Sequence, residues 1–303
     1  MKRLKQAVRM SVLMLAMLAS VAGAATYHVD CEADESGDGS ADAPFRTIQE
    51  AADVADAGDL CLIREGTYRE TVAPAHSGTV EKPIVFKPWN DEKVVVSGCE
   101  AVDGWRRDEG SIYRASISLD RGDENQVFAD GRMMYESRWP DAGPPDNCYL
   151  LECQTATMDK GTTPTKIVDD DLPDKDWSGG DVWVSSHKRW FSWTGKITGQ
   201  GDGYLEVVNN SDGKGNHVCK KGGRYYVFGV KDALDSENEW YYDEKAEELY
   251  VWMPGGGSPE QHVAVKRRNL AFALRGVAHV TLKGLETFSA HIDTDSESAG
   301  MTL

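Results

Sequence analysis

The chain has 303 residues, with 33 Lys and Arg against 50 Asp and Glu and a formal charge of −17. Such an acidic surface disfavours nucleic acid as a partner, because it would repel phosphates rather than neutralise them. A hydrophobic content of 40 %, 30 glycines and 9 % aromatic residues describe a turn-rich chain with ample material for a core, and no apolar run is long enough for a comfortable membrane span.

At the N-terminus, Lys2, Arg3, Lys5 and Arg9 precede an apolar stretch from Ser11 to Ala19 and the small residues Ala22-Gly23-Ala24. This is the pattern of a cleaved export signal. Its removal leaves 29 basic residues against 50 acidic ones, a charge of −21 over about 279 residues, so the mature protein is expected to be soluble and secreted, periplasmic or surface-exposed. Next, Asp34-x-Ser36-x-Asp38-Gly39 imitates half of a calcium loop, but Phe45 stands where the closing Glu should be, which predicts a plain turn.

Thr47 and Glu50 have the spacing of a capping box, and Ile48, Ala51, Ala52 and Ala55 follow at helical intervals until Gly58. A short amphipathic helix is predicted, acting as a lid over the open end of a strand stack. The apolar run Leu60 to Ile63 then reads as a buried strand, with Glu65-Gly66-Thr67-Tyr68 as its turn. Further short strands are predicted at Val72-Ala73, Ile84-Val85-Phe86 and Val94-Val95-Val96. The 22 residues from Ile63 to Val85 suggest one coil of a repeating ladder.

From about Trp105 to Gln261 the texture changes. Alternation at Asp181-Val182-Trp183-Val184 and Tyr225-Tyr226-Val227-Phe228 predicts antiparallel strands, and the tryptophans concentrate here. The short ladder strands return at Val263-Ala264-Val265, Phe272-Ala273-Leu274 and Val280-Thr281-Leu282, with a spacing of 21 residues from Leu282 to Leu303. Gly300-Met301-Thr302-Leu303 carries neither cap nor turn, so the chain is expected to be the N-terminal portion of a longer protein.

Six cysteines, at positions 31, 61, 99, 148, 153 and 219, lie in the exported part, where disulfides persist. Their spacing matches no Cys-x-x-Cys metal site, and buried thiols with one or two structural disulfides are expected; Cys148 with Cys153, or either with Cys219, would staple the middle region.

Three clusters are candidates for chemistry. His291, Asp293, Asp295 and Glu297 alternate, so an extended backbone would project all four from one face, where they could hold Ca²⁺ or supply a general acid and base; a solvated turn is the alternative. Lys266-Arg267-Arg268 could neutralise the carboxylate of an acidic sugar, or could be salt-bridged to the abundant Asp and Glu. Trp190 and Trp193 could stack on a sugar face, or could fill the core. No Gly-x-Ser-x-Gly elbow, phosphate loop or His-Glu-x-x-His motif is present, which argues against serine hydrolases, nucleotide enzymes and the common zinc proteases.

Several segments together resemble a known group. Tyr27-His28-Val29-Asp30, Pro44-Phe45-Arg46-Thr47-Ile48-Gln49-Glu50-Ala51-Ala52, Ala57-Gly58-Asp59 and Gly66-Thr67-Tyr68-Arg69-Glu70 are similar to the N-terminal signature of secreted right-handed parallel β-helix proteins of the polysaccharide lyase and glycoside hydrolase type. The resemblance continues at Asn125 to Gly131, Ser137-Arg138-Trp139-Pro140, Glu239 to Asp243, Leu249 to Trp252 and Val265 to Asn269. It implies an all-β fold: a right-handed parallel β-helix with an N-terminal capping helix and an inserted antiparallel β-rich domain. The expected division is 1–24 export signal, 25–104 cap and first coils, 105–261 insert and 262–303 resumed coils. It also implies a polysaccharide substrate and degradation by a lyase or a glycoside hydrolase, with a non-catalytic glycan-binding or adhesive surface protein as the alternative. The motifs specify a scaffold and leave the reaction open.

Overall fold

The computed structural model describes residues 23–142, 154–186 and 190–302. The expected export signal falls almost wholly outside them, as do Cys148 and Cys153. Among the described residues the protein is all-β apart from one α-helix and short 3-10 turns. It divides into two compact units, the first comprising the chain up to Val95, Phe272–Glu286 and Ile292–Leu303, the second comprising Val96–Ala271 and Thr287–His291.

In the first unit, strands Thr26–Val29, Leu60–Ile63, Ile84–Pro88 and Val280–Leu282 form a sheet in that order, every pair parallel. Alternation decides which side chains turn inward. Cys61, Ile63, Phe86 and Leu282 are buried, whereas Leu62, Lys87 and Lys283 look outward. Leu60 pairs with Val85, a step of 25 residues. The expected step of 22 is too short because the turn at 77–82, closed by reciprocal backbone bonds between Thr79 and Lys82, lengthens the coil. The later 21-residue step is present as the parallel bridge Thr281 to Thr302. The chain leaves this ladder after Ile84–Pro88 and rejoins it beside the same strand, Val280 pairing with Ile84, while Phe272 bridges to Val72.

The helix is Ile48–Val54, with Ile48, Ala51, Ala52 and Ala55 fully buried against strands Thr26–Val29 and Leu60–Ile63. It stops short of Gly58 because Ala55 already has extended backbone angles. Its N-terminus is fully satisfied. Thr47 Oγ1 accepts from the Glu50 amide (3.2 Å), and Glu50 Oε2 accepts from the Thr47 amide (2.9 Å). The Ile48 and Gln49 amides donate to the two carboxylate oxygens of Glu70, both at 2.9 Å. Charge-assisted bonds are the stronger kind, so Glu70→Ala is expected to cost about 2 kcal/mol and Thr47→Ala about 1 kcal/mol. Urea denaturation would check this, and equal small losses would refute the ranking.

The second unit carries the antiparallel strands. One seven-stranded sheet runs in the order Arg138–Trp139, Arg224–Phe228, Asp181–Ser185, Ser192–Gly201, Tyr204–Val207, Lys166–Val168, with Ala156–Thr157 also on Arg224–Phe228. Val182, Val184, Tyr225 and Val227, the alternate residues of its two central strands, are completely buried beside Trp177 and Leu205. A five-stranded sheet orders Tyr135–Glu136, Glu239–Asp243, Glu248–Trp252, Ile112–Ser116 and Arg106–Arg107, its first pair alone parallel. The entry and exit strands of the unit, Cys99–Ala101 and Val263–Lys266, pair antiparallel.

Cys219 is a buried thiol without a disulfide among the described residues, and burial pushes its pKa up to about 12. No helix among the described residues is long and apolar enough to cross a membrane.

Candidate functional site

The outward face of the parallel sheet holds the first candidate. Register places His28 beside Leu62 and Leu62 beside Lys87. Leu282 pairs with Phe86, and the Lys283 amide donates to the Phe86 carbonyl (3.0 Å), so Lys283 follows Lys87 in the same outward row. Adjacent parallel strands lie about 4.8 Å apart, and like charges directly opposite repel. Neither Lys87 nor Lys283 has a side-chain hydrogen bond or an ion pair among the described residues. Asp91 is the carboxylate that lines the groove beside them.

These lysines border a groove of about 560 Å³ that Leu60, Leu62 and Trp89 also line. The Trp89 ring lies 5.2 Å from that of His28. At its end the chain turns through Asn90 and Asp91, both in the left-handed region (φ 48° and 58°), a conformation that these two residue types tolerate better than most. An aromatic face beside two unpaired ammonium groups suits a ligand with apolar sugar faces and negative charge.

The clusters predicted from sequence are dispersed. His291 and Asp293 lie in strand His291–Asp293, but the strand ends there. Asp293 is held by Arg275 (2.5 and 3.1 Å). Asp295 accepts from the Gly276, Glu297 and Ser298 amides (3.3, 2.9 and 3.1 Å) and closes a turn, with Glu297 exposed beside it. Among the described residues no three His, Cys, Asp or Glu side chains converge as a metal site would require. In the basic triplet, Arg267 donates to the Ser118 carbonyl (2.5 Å) and faces Asp120 (3.6 Å), Arg268 pairs with Glu100, and Lys266 ends strand Val263–Lys266.

The two tryptophans part company. Trp193 is 7 % exposed and its indole N–H donates to the His217 carbonyl (2.8 Å). Trp190 is 75 % exposed and stands edge-on to His217, whose ring stacks on Phe191 at 4.0 Å and bonds Asp212 at 2.6 Å.

One buried carboxyl lies outside all of these clusters. Glu239, 2 % exposed, has no hydrogen bond of ordinary geometry to either oxygen among the described residues, the Arg138 amide being near but not well aligned. Burial first, then the charges of Asp141 and Asp235, push its pKa up to about 9, and the nearby Arg138 amide and guanidinium draw it back only in part. Glu239 is too buried to reach a substrate.

Sequence reasoning passed over Lys87, Trp89 and Lys283. The available signal was the alternation Phe86-Lys87 and Leu282-Lys283, which turns each lysine away from a buried neighbour.

No protein-family model matches the chain. The uncharacterized protein YwoF of Bacillus subtilis (strain 168) is 44 % identical over 71 residues, 23 % of this chain and 15 % of that protein. Pectate lyase PEL9 of Emericella nidulans is 35 % identical over 92 residues, 30 % of this chain and 22 % of that protein. The matches thus span less than a quarter of the length of these relatives. A solved structure named Glycoside hydrolase superposes with a TM-score of 0.64 at 17 % identity, over 88 % of this chain and 51 % of that one. This chain therefore shares its fold with about half of that structure.

Proposed function

We propose that this is an exported carbohydrate-active protein whose parallel ladder begins a right-handed β-helix, and that its outer groove takes an acidic polysaccharide with uronate carboxylates against Lys87 and Lys283. The observation that carries the reading is the outward lysine row beside Trp89, neither lysine having an ion pair among the described residues, so that their ammonium groups are open to an anion. The partial similarity to a pectate lyase supports an acidic polymer, and the basic n-region before an apolar stretch supports export. Trp89 would pack against a sugar ring while the ammonium groups hold its carboxylate. In a lyase reaction the same neutralisation makes the proton next to the carboxylate easier to remove. Hydrolysis would instead need two carboxylates across the scissile bond.

Affinity electrophoresis in polygalacturonate tests the proposal. Each exposed ion pair is worth roughly 0.2–1 kcal/mol, so Lys87→Gln with Lys283→Gln should weaken retardation about tenfold and reduce its salt dependence. Unchanged retardation would sink the proposal. Following ultraviolet-absorbing unsaturated ends and new reducing ends separately on the wild-type protein distinguishes a lyase, a hydrolase and a binder that releases neither.

A further inference from the structure

The second unit contains a cleft of about 650 Å³, within the range of small-ligand sites. Six Asp and Glu side chains and three lysines line it. Two of those lysines are already engaged. Lys196 Nζ is 2.6 Å from Asp181, and Lys231 Nζ lies 3.5 Å from Asp108 and 3.9 Å over the Tyr250 ring. What remains is a negative field, which repels the acidic polymer that the lysine row attracts.

Polar groups free to bind a ligand remain at the rim. Glu244 and Lys245 sit on the turn after strand Glu239–Asp243 with no side-chain partner among the described residues. That turn is held in advance, because Asp243 Oδ1 accepts from the Lys245 and Ala246 amides (2.9 and 3.0 Å). Tyr242 accepts at its hydroxyl from the Leu119 amide (3.0 Å) and keeps its own O–H to donate. Phe228 and Tyr241 add aromatic surface to the wall. Sugar hydroxyls both donate and accept, so they match mixed donors and acceptors without needing a net charge. Their apolar ring faces match the aromatics.

We propose that this cleft binds a neutral sugar unit or a short neutral oligosaccharide, a second glycan site whose charge preference is opposite to that of the lysine row. The site stands whether or not the lysine row binds uronate.

Calorimetry on the full chain, with the hexamers of xylose, glucose, glucosamine and galacturonate as probes, tests it. Thr194 is exposed on strand Ser192–Gly201 and lines the cleft, so Thr194→Arg fills the space while Thr194→Ser leaves it open. A neutral hexamer should bind the wild type and the Ser variant alike, and bind at least tenfold more weakly to the Arg variant. Should the Arg variant fail to fold, Glu244→Ala with Lys245→Ala at the exposed turn should weaken binding several-fold. The proposal is overturned if no neutral hexamer binds, if binding ignores the variants that fold, or if only glucosamine or galacturonate binding responds to them.

Discussion

Glu239→Gln is expected to raise stability at alkaline pH and to leave it nearly unchanged below pH 5. The folded protein holds a proton on Glu239 up to about pH 9, whereas the unfolded chain releases it near the ordinary carboxyl value of 4.5. The folded state therefore binds the extra proton between these values. Stability from this group is fully present below pH 4.5 and is lost as pH climbs to about 9, at up to roughly 1.4 kcal/mol per pH unit. For a chain of this size that is several degrees in melting temperature per pH unit. Glutamine keeps the shape and cannot ionise, so the variant should show a flatter curve. Asp141 and Asp235 face the same carboxyl and strengthen the effect, so Asp235→Asn should also ease the loss, though by less. Thermal melts from pH 5 to 9 that run parallel for wild type and Glu239→Gln would refute the account.

The second large effect separates two tryptophans only three residues apart. Trp193→Ala should cost about 3–5 kcal/mol, because it empties a volume in a core that includes Tyr225, Val184 and Cys219 and strips the His217 carbonyl of its donor. Trp190→Ala should change stability by no more than about 0.5 kcal/mol, since the ring is 75 % exposed. Chemical denaturation of both variants settles the matter. A loss at Trp190 as large as that at Trp193 would mean the exposed ring is held by contacts that its surroundings do not show.

Local chemistry was the legible part of this sequence. Thr47 and Glu50 announce the helix start because both partners of the capping box lie within one turn, and the inward faces of Asp181–Ser185 and Arg224–Phe228 follow from alternation alone. The second anchor of the helix, Glu70, is more than twenty residues away and reaches it only once the ladder folds back. The coil length was misread for a related reason: nothing local shows how many residues the turn at 77–82 absorbs. The lysine row was hidden more deeply still. Lys87 and Lys283 become neighbours only through the pairing of Ile84 with Val280, which no spacing in the chain betrays. Conversely, the alternation from His291 to Glu297 is compatible with either an extended face or a solvated turn, and the strand ends at Asp293 with Asp295 closing a turn.

The pairing of Ile84 with Val280 also sets the order in which this molecule can be completed. During synthesis the strand Ile84–Pro88 emerges roughly 10–40 s before the residues that will cover its free edge, at ordinary rates of translation. An apolar strand waiting that long is open to capture by a stray chain. The antiparallel pairing of Cys99–Ala101 with Val263–Lys266 shortens the hazard. Once the intervening segment has folded, its two ends are already side by side, and the remaining strand has only a short span left to search. Substitutions that slow folding between those two strands should therefore show first as misassembly of nascent chains, at a stage when the finished protein would register little change in stability.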